Sequence, residues 1–458
     1  MPQAPPKPRV SGGIPWWIWL LLVIVTGSVV TSGIMRMIPE DPEKLYQDGL
    51  AAFDQAGGAG LGVLIQKLDR FPEYASRVQI LKGYEQVATA RPLKAIPFFE
   101  KAKDDPLTRQ KALSGLGMVY RRVDDRKQAA EYLKLAIQEN PDDRNARGSL
   151  SSLLNEAHAL ELLVAELKEI VDRKLATSPA VVLHQRGKSL FELDRYEEAA
   201  ADLEEARKIE VDKRTKAEIT EELVRCLQLC GQFEKSLTLV DDIAANINRE
   251  GHRTAALLEL GRIDEAKAAL DKALPGAEMN AEIQILRCKW LLTQPKETGA
   301  AALHDIEQTL IGAPRNLDLY RAALELARHL NRDQDSELFA ENVRQLEQLQ
   351  ESYKKQRDLA ARNLDDARGR IAAGDLAAEL GDIVAAQKWY SAAEKVDPVM
   401  RAEIVTKNQL LYSNKAPLVA PDRINLYGFE AMLRTIMEGV DALDAVERGV
   451  DAPPDAKF

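Results

Sequence analysis

Cysteine pairs can ligate metals or exchange thiols, and this chain has one closely spaced pair. Cys226 and Cys230 lie four positions apart, so on a helix they would share a face. No second cysteine pair and no pair of histidines accompanies them, and Cys288 is distant in the sequence. We interpret them as packing residues with free thiols, because helix geometry would strain a disulfide between them.

The histidines and glycines form no recognisable catalytic or nucleotide-binding motif. The five histidines are isolated in sequence, and none belongs to an H-E-x-x-H zinc motif. The glycine cluster between 57 and 62 has no preceding strand and no following Lys-Ser/Thr, so it is not a P-loop. We therefore expect no catalytic residues, no cofactor and no metal, and an enzyme is the least favoured class of protein.

The composition of the 458 residues is that of a folded, helix-rich protein. Hydrophobic residues make up 45% and charged residues 29%, which provides enough apolar material for a core. Aromatic residues make up only 5%, while good helix formers such as Ala, Leu and Glu are abundant. The net charge of −10 disfavours nucleic-acid binding, and three cysteines cannot form a disulfide framework.

A hydrophobic segment near the N-terminus predicts a membrane anchor. No residue between Arg9 and Arg36 is charged, and residues 14–35 would span about 33 Å as a helix, enough for a bilayer core of about 30 Å. A cluster of tryptophans lies at the start of this segment, where such rings favour the headgroup region. A cleavable signal peptide is the alternative, but its apolar stretch is usually shorter and ends in an A-x-A-like site. We predict a single-pass helix that contacts the lipid bilayer.

The charges that flank this segment predict its orientation. Lys7 and Arg9 precede it without any acidic residue, whereas Arg36 and Lys44 are interleaved with acidic residues. Basic residues favour the cytoplasmic side, so the Pro-rich tail 1–13 is expected in the cytoplasm. The rest of the chain would then lie in the periplasm, anchored to a bacterial inner membrane.

The remainder of the chain is repetitive. The clearest unit predicts two amphipathic helices, with small residues where they cross and a proline that closes the second. It consists of Leu113, Leu116, Gly117, Tyr120, Ala129, Leu133, Ala136 and Pro141. The pattern recurs 70 residues later, at twice 35, as Leu183, Gly187, Leu190, Tyr196, Ala199, Leu203 and Ala206. A late copy consists of Gly374, Ala377, Gly381, Ile383, Ala386, Tyr390, Ala393 and Pro398.

These matches at a fixed period resemble the tetratricopeptide repeat, a helix–turn–helix of about 34 residues, over residues 43–400. With the anchor, the chain resembles single-span, membrane-anchored bacterial members of that family. The resemblance implies an all-α fold in which an N-terminal transmembrane helix precedes a right-handed α-solenoid with a C-terminal capping helix. Each helix pair would be stabilised by stacking on its nearest neighbours, and the first helices would line a concave groove.

The periodicity breaks once, between Asp335 and Arg370, where the repeat phase needs about 16 extra residues. Apolar residues in this segment keep a helical spacing between many Glu, Gln, Arg and Lys. We predict a long helix that overshoots its partners, with a solvated charged face. A spur that binds a partner is the alternative interpretation.

The C-terminal segment predicts capping helices over residues 401–449, followed by a disordered tail at 450–458. One face carries an apolar stripe at spacings of three and four. The stripe consists of Leu426, Phe429, Leu433, Ile436, Val440 and Leu443. Such a helix usually covers the exposed end of a solenoid. Self-association into a homo-oligomer through the stripe is the alternative.

Partner-contacting residues follow only from the resemblance, in which partners lie in the groove of the first helices. Carried onto this chain, those positions are Tyr84, Lys111, Met118, Arg121, Arg122, His184, Lys188 and Phe191. Four of them are basic, which predicts a local cationic patch that attracts an acidic or C-terminal segment of a partner. Ordinary solvated residues are the alternative interpretation.

The sequence therefore predicts binding of other proteins and disfavours nucleic acid. We hypothesise a non-catalytic, membrane-tethered interaction scaffold or assembly factor of the cell envelope, acting in secretion, envelope or respiratory-complex assembly. A structural subunit of a large membrane protein complex is the alternative. Stoichiometric co-purification with a complex would favour the structural subunit.

Overall fold

The computed structural model describes residues 41–277, 280–296 and 299–412. Helices and no strands occur in these segments, which confirms the all-α prediction for them. None of the helices so described combines the length and apolar character needed to cross a bilayer. The predicted anchor at 14–35 and the stripe from 426 to 443 lie outside the described residues.

The chain divides into two compact units, residues 1–119 and 120–458. In the first unit, consecutive helices form antiparallel pairs, and the first helices of two successive pairs pack against each other. Phe99 is fully buried and its ring fills the space left by Gly83 and Gly115. The helices are α1 Pro42–Ala56, α2 Leu61–Leu68, α3 Ala75–Ala88, α4 Pro92–Ala102 and α5 Arg109–Arg122, whose last turn belongs to the second unit.

The second unit repeats the same arrangement over more pairs. Each helix packs against the next, and the first helices α9, α11, α13, α15 and α17 contact one another in succession. The helices are α6 Arg126–Glu139, α7 Arg144–Glu156, α8 Leu160–Asp172, α9 Pro179–Glu192, α10 Tyr196–Ile209, α11 Lys213–Leu229, α12 Phe233–Leu239, α13 Ile247–Glu259, α14 Ile263–Ala273, α15 Ala281–Leu291, α16 Ala300–Gly312, α17 Leu317–His329, α18 Asp333–Arg362, α19 Ala367–Glu379, α20 Ile383–Val396 and α21 Arg401–Tyr412.

A left-handed residue ends the first helix of most pairs and sets the repeat register. It lies two positions beyond the helix and has positive φ, at Gly58, Ala90, Asp124, His158, Asp194, Gly231, Gly261, Asn331 and Gly381. The spacing is 34 residues from Ala90 to Asp124 and again from Asp124 to His158. It widens to 50 between Asn331 and Gly381, where the long helix α18 lies.

Glycines allow the two helices of a pair to cross closely. A Cβ atom on Gly374 would lie 2.5 Å from Cε1 of Tyr390, and one on Gly187 would lie 2.9 Å from Cγ of Leu203. Tyr390 and Leu203 are almost completely buried, so these contacts belong to the core of each pair. This close approach of the two helices explains why the repeat pattern has small residues at these positions.

The long helix differs from its prediction in bounds and in role. It begins two residues before Asp335 and ends at Arg362 rather than Arg370, because the side chain of Asp366 caps a new helix by accepting from Gly369 N. Its last turns were predicted to overshoot their partners, with a projecting spur as the alternative, but they do neither. Ala361, near the end of α18, is buried in the same apolar cluster as residues of α8, α9 and α11.

Two buried arginines attach this region to turns far away in the sequence. Arg357 Nη1 donates to Glu192 O at 2.9 Å and lies 3.0 Å from Asp194 Oδ2. Arg370 is fully buried and donates to three carbonyl oxygens, one of them Ala157 O at 2.6 Å. Burial lowers the pKa of Arg370 to about 10, against the opposing charge of Asp366. The second unit therefore folds back on itself.

A cluster of charged and aromatic side chains completes this attachment. Glu192 lies 3.1 Å from His158 Nε2 and 3.0 Å from Lys388 Nζ. The His158 ring meets Trp389 edge-on with centroids 4.3 Å apart. We call this set of contacts, between α18–α20 and the turns after α7 and α9, the closing contact.

Candidate partner-binding groove

The first helices α11, α13, α15 and α17 of the second unit line a groove of about 600 Å³. This volume suits a side chain or a short segment of a partner rather than a whole domain. Its lining includes Glu221, Arg225, Gln228 and Leu229 of α11, Ile247, Asn248, His252 and Ala255 of α13, Glu282, Ile285 and Lys289 of α15, and Asp318, Arg321 and Glu325 of α17. We call it the α11–α17 groove.

An apolar strip lies within the groove. Leu229 is 55% exposed although it is a large hydrophobic residue on a well-packed helix. Ile247, Ala255 and Ile285 are half-buried and line the same groove. A contiguous set of accessible apolar side chains in a concavity is typical of a protein-binding or ligand-binding surface.

Hydrogen bonds hold the polar side chains of α11 and α13 in place. Gln228 Nε2 donates to His252 O at 2.8 Å, and Gln228 Oε1 lies 3.1 Å from His252 Nδ1. Asn248 Nδ2 donates to Glu221 Oε1 at 3.0 Å. Burial lowers the pKa of His252, so this ring is neutral near pH 7. These bonds preorganise one wall of the groove.

The charged residues of the groove fall into two sets. Lys289 pairs with Glu259 at 2.9 Å, and Arg321 pairs with Glu347 at 2.8 Å and with Asp318 at 3.0 Å. These cations are therefore neutralised within the protein.

The second set has no such partner. No residue in the described part of the chain forms an ion pair with Arg225, Glu282, Glu325 or Glu221, although Glu221 accepts a hydrogen bond from Asn248. The Arg225 guanidinium instead lies 5.2 Å from the centre of the Phe191 ring, at a distance that permits a cation–π contact.

In the first unit, the residues predicted to contact a partner differ in their burial. Tyr84 is only 4% exposed. Its ring stacks on Phe53 at 4.4 Å and meets Phe99 edge-on at 5.3 Å. Lys111 and Met118 are half-buried on α5. The buried ring of Tyr84 has almost no surface to offer a partner.

In the second unit, the predicted basic patch is partly neutralised. Arg121 pairs with Glu156 at 3.4 Å, while Arg122 is exposed at the end of α5. Glu222 of α11 lies 2.7 Å from His184 Nε2 and 3.5 Å from Lys188 Nζ, which brings these two candidates together.

Phe191 supports Arg225 and so connects the predicted surface on α9 with the α11–α17 groove. That these residues contact a partner stays a prediction.

Sequence reasoning missed the groove itself. The repeats that build it are irregular, because α12 has only seven residues and the left-handed residues Gly231 and Gly261 are 30 positions apart. The repeat pattern in the sequence does include Gly231 and Gly261 and so indicates α11 and α13. It does not show which of their charged side chains find partners inside the protein.

The cysteines remain free thiols in surroundings that suppress their reactivity. Cys226 and Cys288 are buried and Cys230 is half-buried. Burial raises the pKa of both Cys226 and Cys288 to about 12, so their thiols are protonated at neutral pH. Within the described segments, no group of three or more His, Cys, Asp or Glu residues could hold a metal ion.

The fold and the groove define a protein built of stacked helix pairs with a groove along its first helices. Residues 110–143 match the family model of the tetratricopeptide repeat, which supports the resemblance predicted from sequence. No curated protein matches the chain. The chain is also similar to a chain in a solved structure titled "Structure of Naa15/Naa10 bound to HypK-THB", with 14% identity, 89% of this chain and 73% of that chain covered, and a TM-score of 0.40. A score of this size does not establish a shared fold.

Proposed function

We propose that the protein is a non-catalytic interaction scaffold that holds a segment of a partner protein in the α11–α17 groove. The observation that carries this proposal is the placement of Leu229, and of four charges without ion-pair partners among the described residues, on three of the four groove helices, α11, α15 and α17. Apolar surface supplies affinity and charges supply register, which is the usual division of roles in a peptide-binding groove. The match to a tetratricopeptide repeat supports the same class of function.

We propose further that residues 14–35 tether this scaffold to a bacterial inner membrane, with the helix pairs on the periplasmic side. The support is the uncharged segment and the basic residues that precede it. A reporter fused to the C-terminus that is active only after export should work. Activity of a cytoplasm-only reporter at that position would contradict this orientation.

We also propose that the scaffold acts as an assembly factor in the cell envelope, with a structural subunit of a membrane complex as the alternative. Self-association through the C-terminal stripe is a further part of this proposal. An assembly factor should extract in detergent as a single species, whereas a structural subunit should extract with a stoichiometric complex. A homo-oligomer should dissociate when Leu433 and Ile436 of the stripe are changed to Glu, because the charges would be buried at the interface.

Site-specific photo-crosslinking in the full-length chain tests the groove. A photoreactive amino acid replaces Leu229 in one variant and Val211 in another. Both are exposed apolar residues, at 55% and 91%, but Val211 lies outside the groove. We expect a defined protein adduct from position 229 and none from position 211. Equal labelling at both positions, or none at 229, would exclude the groove as the binding surface.

A further inference from the structure

The pattern of neutralised and unpaired charges in the α11–α17 groove indicates the chemistry of the segment that it binds. We propose that this segment carries a basic side chain, flanked by apolar residues, at the α15–α17 end of the groove. Its charge is opposite to that of the acidic segment predicted from the sequence. This inference rests on the proposed function and specifies the partner for the same site.

The two cations Lys289 and Arg321 of the groove are already paired with carboxylates of the same chain. Lys289 and Arg321 would attract an acidic segment if they were free, but their nearest carboxylates belong to Glu259 and Glu347. Glu259 is on α13 and Glu347 is on α18, each next to the helix of its partner, and neither glutamate lines the groove. An acidic partner would have to displace an ion pair that already exists, so these two cations contribute little attraction for it.

Two carboxylates at the α15–α17 end of the groove, in contrast, are not paired with a cation within the described segments. Glu282 on α15 and Glu325 on α17 are exposed and lack any ion-pair partner in the described part of the chain. A segment that covers them removes water from both carboxylates. That desolvation is unfavourable unless the segment supplies a cation, whereas an added carboxylate there would also meet like charge.

The two ends of the groove differ in charge. At the α11 end, Arg225 is supported by the Phe191 ring, and Glu221, which also has no ion-pair partner among the described residues, accepts a hydrogen bond from Asn248. These two opposite charges leave the α11 end without the surplus of negative charge that Glu282 and Glu325 give to the α15–α17 end. The preferred segment is therefore basic at one end only, with its apolar residues against Leu229 and Ile285 in the strip between.

Two synthetic peptides of equal length and equal leucine content provide the probes. One carries two lysines at one end, and the other carries two glutamates there. Binding of each to the full-length protein is measured by fluorescence anisotropy at low and at physiological salt. We expect the lysine peptide to bind the wild type at least about tenfold more tightly, with the preference decreasing as salt rises.

Charge-reversal variants decide whether this preference comes from the groove. The groove variant is Glu282→Lys/Glu325→Lys. The control variant, Glu337→Lys/Glu351→Lys, makes the same change in net charge at exposed positions of α18 outside the groove. The lysine peptide should lose at least about tenfold in affinity for the groove variant and less than about twofold for the control.

Several results would overturn the inference. They are an equal loss in both variants, tighter binding of the glutamate peptide to the wild type, and no binding of either peptide. The variant Glu282→Gln/Glu325→Gln keeps side-chain volume and should also weaken the lysine peptide, which separates charge from misfolding. The photo-crosslinking experiment separates the two proposals. If the adduct at position 229 maps to an acidic segment of a partner, the proposed scaffold function is supported and the inference of a basic segment is wrong.

Discussion

At the scale of single residues, the left-handed positions that end the first helices determine where each pair turns. Gly261 has φ +71°, and a Cβ atom there would meet no atom within 4 Å, so only the backbone conformation requires glycine. Gly261→Ala should therefore destabilise α13 and α14 by about 1 kcal/mol. The left-handed backbone costs about 1–2 kcal/mol, and the reduced freedom of the unfolded chain offsets part of this. Native-state hydrogen exchange of the two helices measures the change.

The reverse substitution is the control for this prediction. Ala90 has φ +57° at the equivalent position after α3. Ala90→Gly should leave the stability of α3 and α4 unchanged or raise it by up to about 1 kcal/mol, because it removes the same backbone cost. A destabilising Ala90→Gly together with a neutral Gly261→Ala would show that these turns are not held in the left-handed region.

Also at the residue scale, the acid–base behaviour of Glu192 reports on the closing contact. Burial opposes its charged form, but the hydrogen bond from His158 and the charges of His158 and Lys388 outweigh burial and lower its pKa to about 2. A carboxylate with a depressed pKa stabilises the fold above its unfolded pKa, near 4.3, and this stabilisation is lost as pH falls toward 2. The closing contact should weaken in that range.

Urea unfolding of the wild type and Glu192→Gln, above about pH 5 and near about pH 3, tests the pH dependence. The variant should be less stable than the wild type at the higher pH, and the difference should shrink at the lower pH. Glu337→Gln, at an exposed position, should reproduce the wild-type pH dependence. A difference between wild type and Glu192→Gln that stays constant with pH would contradict the assigned role.

At the scale of elements, α18 shows what a sequence pattern can and cannot predict. The helical spacing of its apolar residues and the extra residues that break the repeat period were sufficient to predict a long helix. Its many charged residues also predicted a solvated face, and Arg344, Glu347 and Glu351 are exposed as expected. Arg357, however, is only 7% exposed, and Arg370, just beyond the helix, is 0% exposed. Their acceptors are turn carbonyls up to 213 residues away. Local periodicity contains no information about such distant acceptors.

The groove illustrates the same limit. Close crossings such as Gly374 against Tyr390 follow from a pattern within one repeat and were predicted correctly. The cationic surface was predicted from residue types alone. Whether Arg121 or Lys188 is free depends on Glu156 and Glu222, which belong to other helices. Pairing between repeats, rather than the position within a repeat, determines the charge that a partner meets.

Arg370→Met tests the contribution of the buried guanidinium to these elements. The substitution keeps apolar volume but removes the guanidinium donor from the buried Ala157 O and from the partly buried Asn363 O and Asp366 O, the last of which still accepts from Arg370 N. A buried acceptor left unsatisfied costs about 1–3 kcal/mol, so we expect the second unit to lose at least about 1 kcal/mol of stability. Arg362→Met is the control, because this side chain is 70% exposed and its pairing distance to Glu161 is 3.9 Å. It should change stability by less than about 0.5 kcal/mol.

At the scale of the whole molecule, the closing contact changes the expected cooperativity of the second unit. An open array of helix pairs is stabilised by nearest neighbours, so damage to one pair stays local. Here the turns after α7 and α9 are joined to α18–α20 across more than 160 residues of sequence. Loosening one side should therefore loosen the other, while the groove helices α13 and α15, which do not take part, should keep their protection.

Hydrogen exchange of Arg357→Ala/Lys388→Ala tests this coupling, because the two substitutions remove the cations that meet Asp194 and Glu192. Amides in both α7–α10 and α18–α20 should exchange faster, and those in α13 and α15 should not. The control Lys235→Ala/Arg253→Ala also removes two cations, but their partners lie within neighbouring helix pairs. It should affect only α10–α13. If the first variant loosens α18–α20 alone, the closing contact does not couple the two regions, and the second unit behaves as an open array.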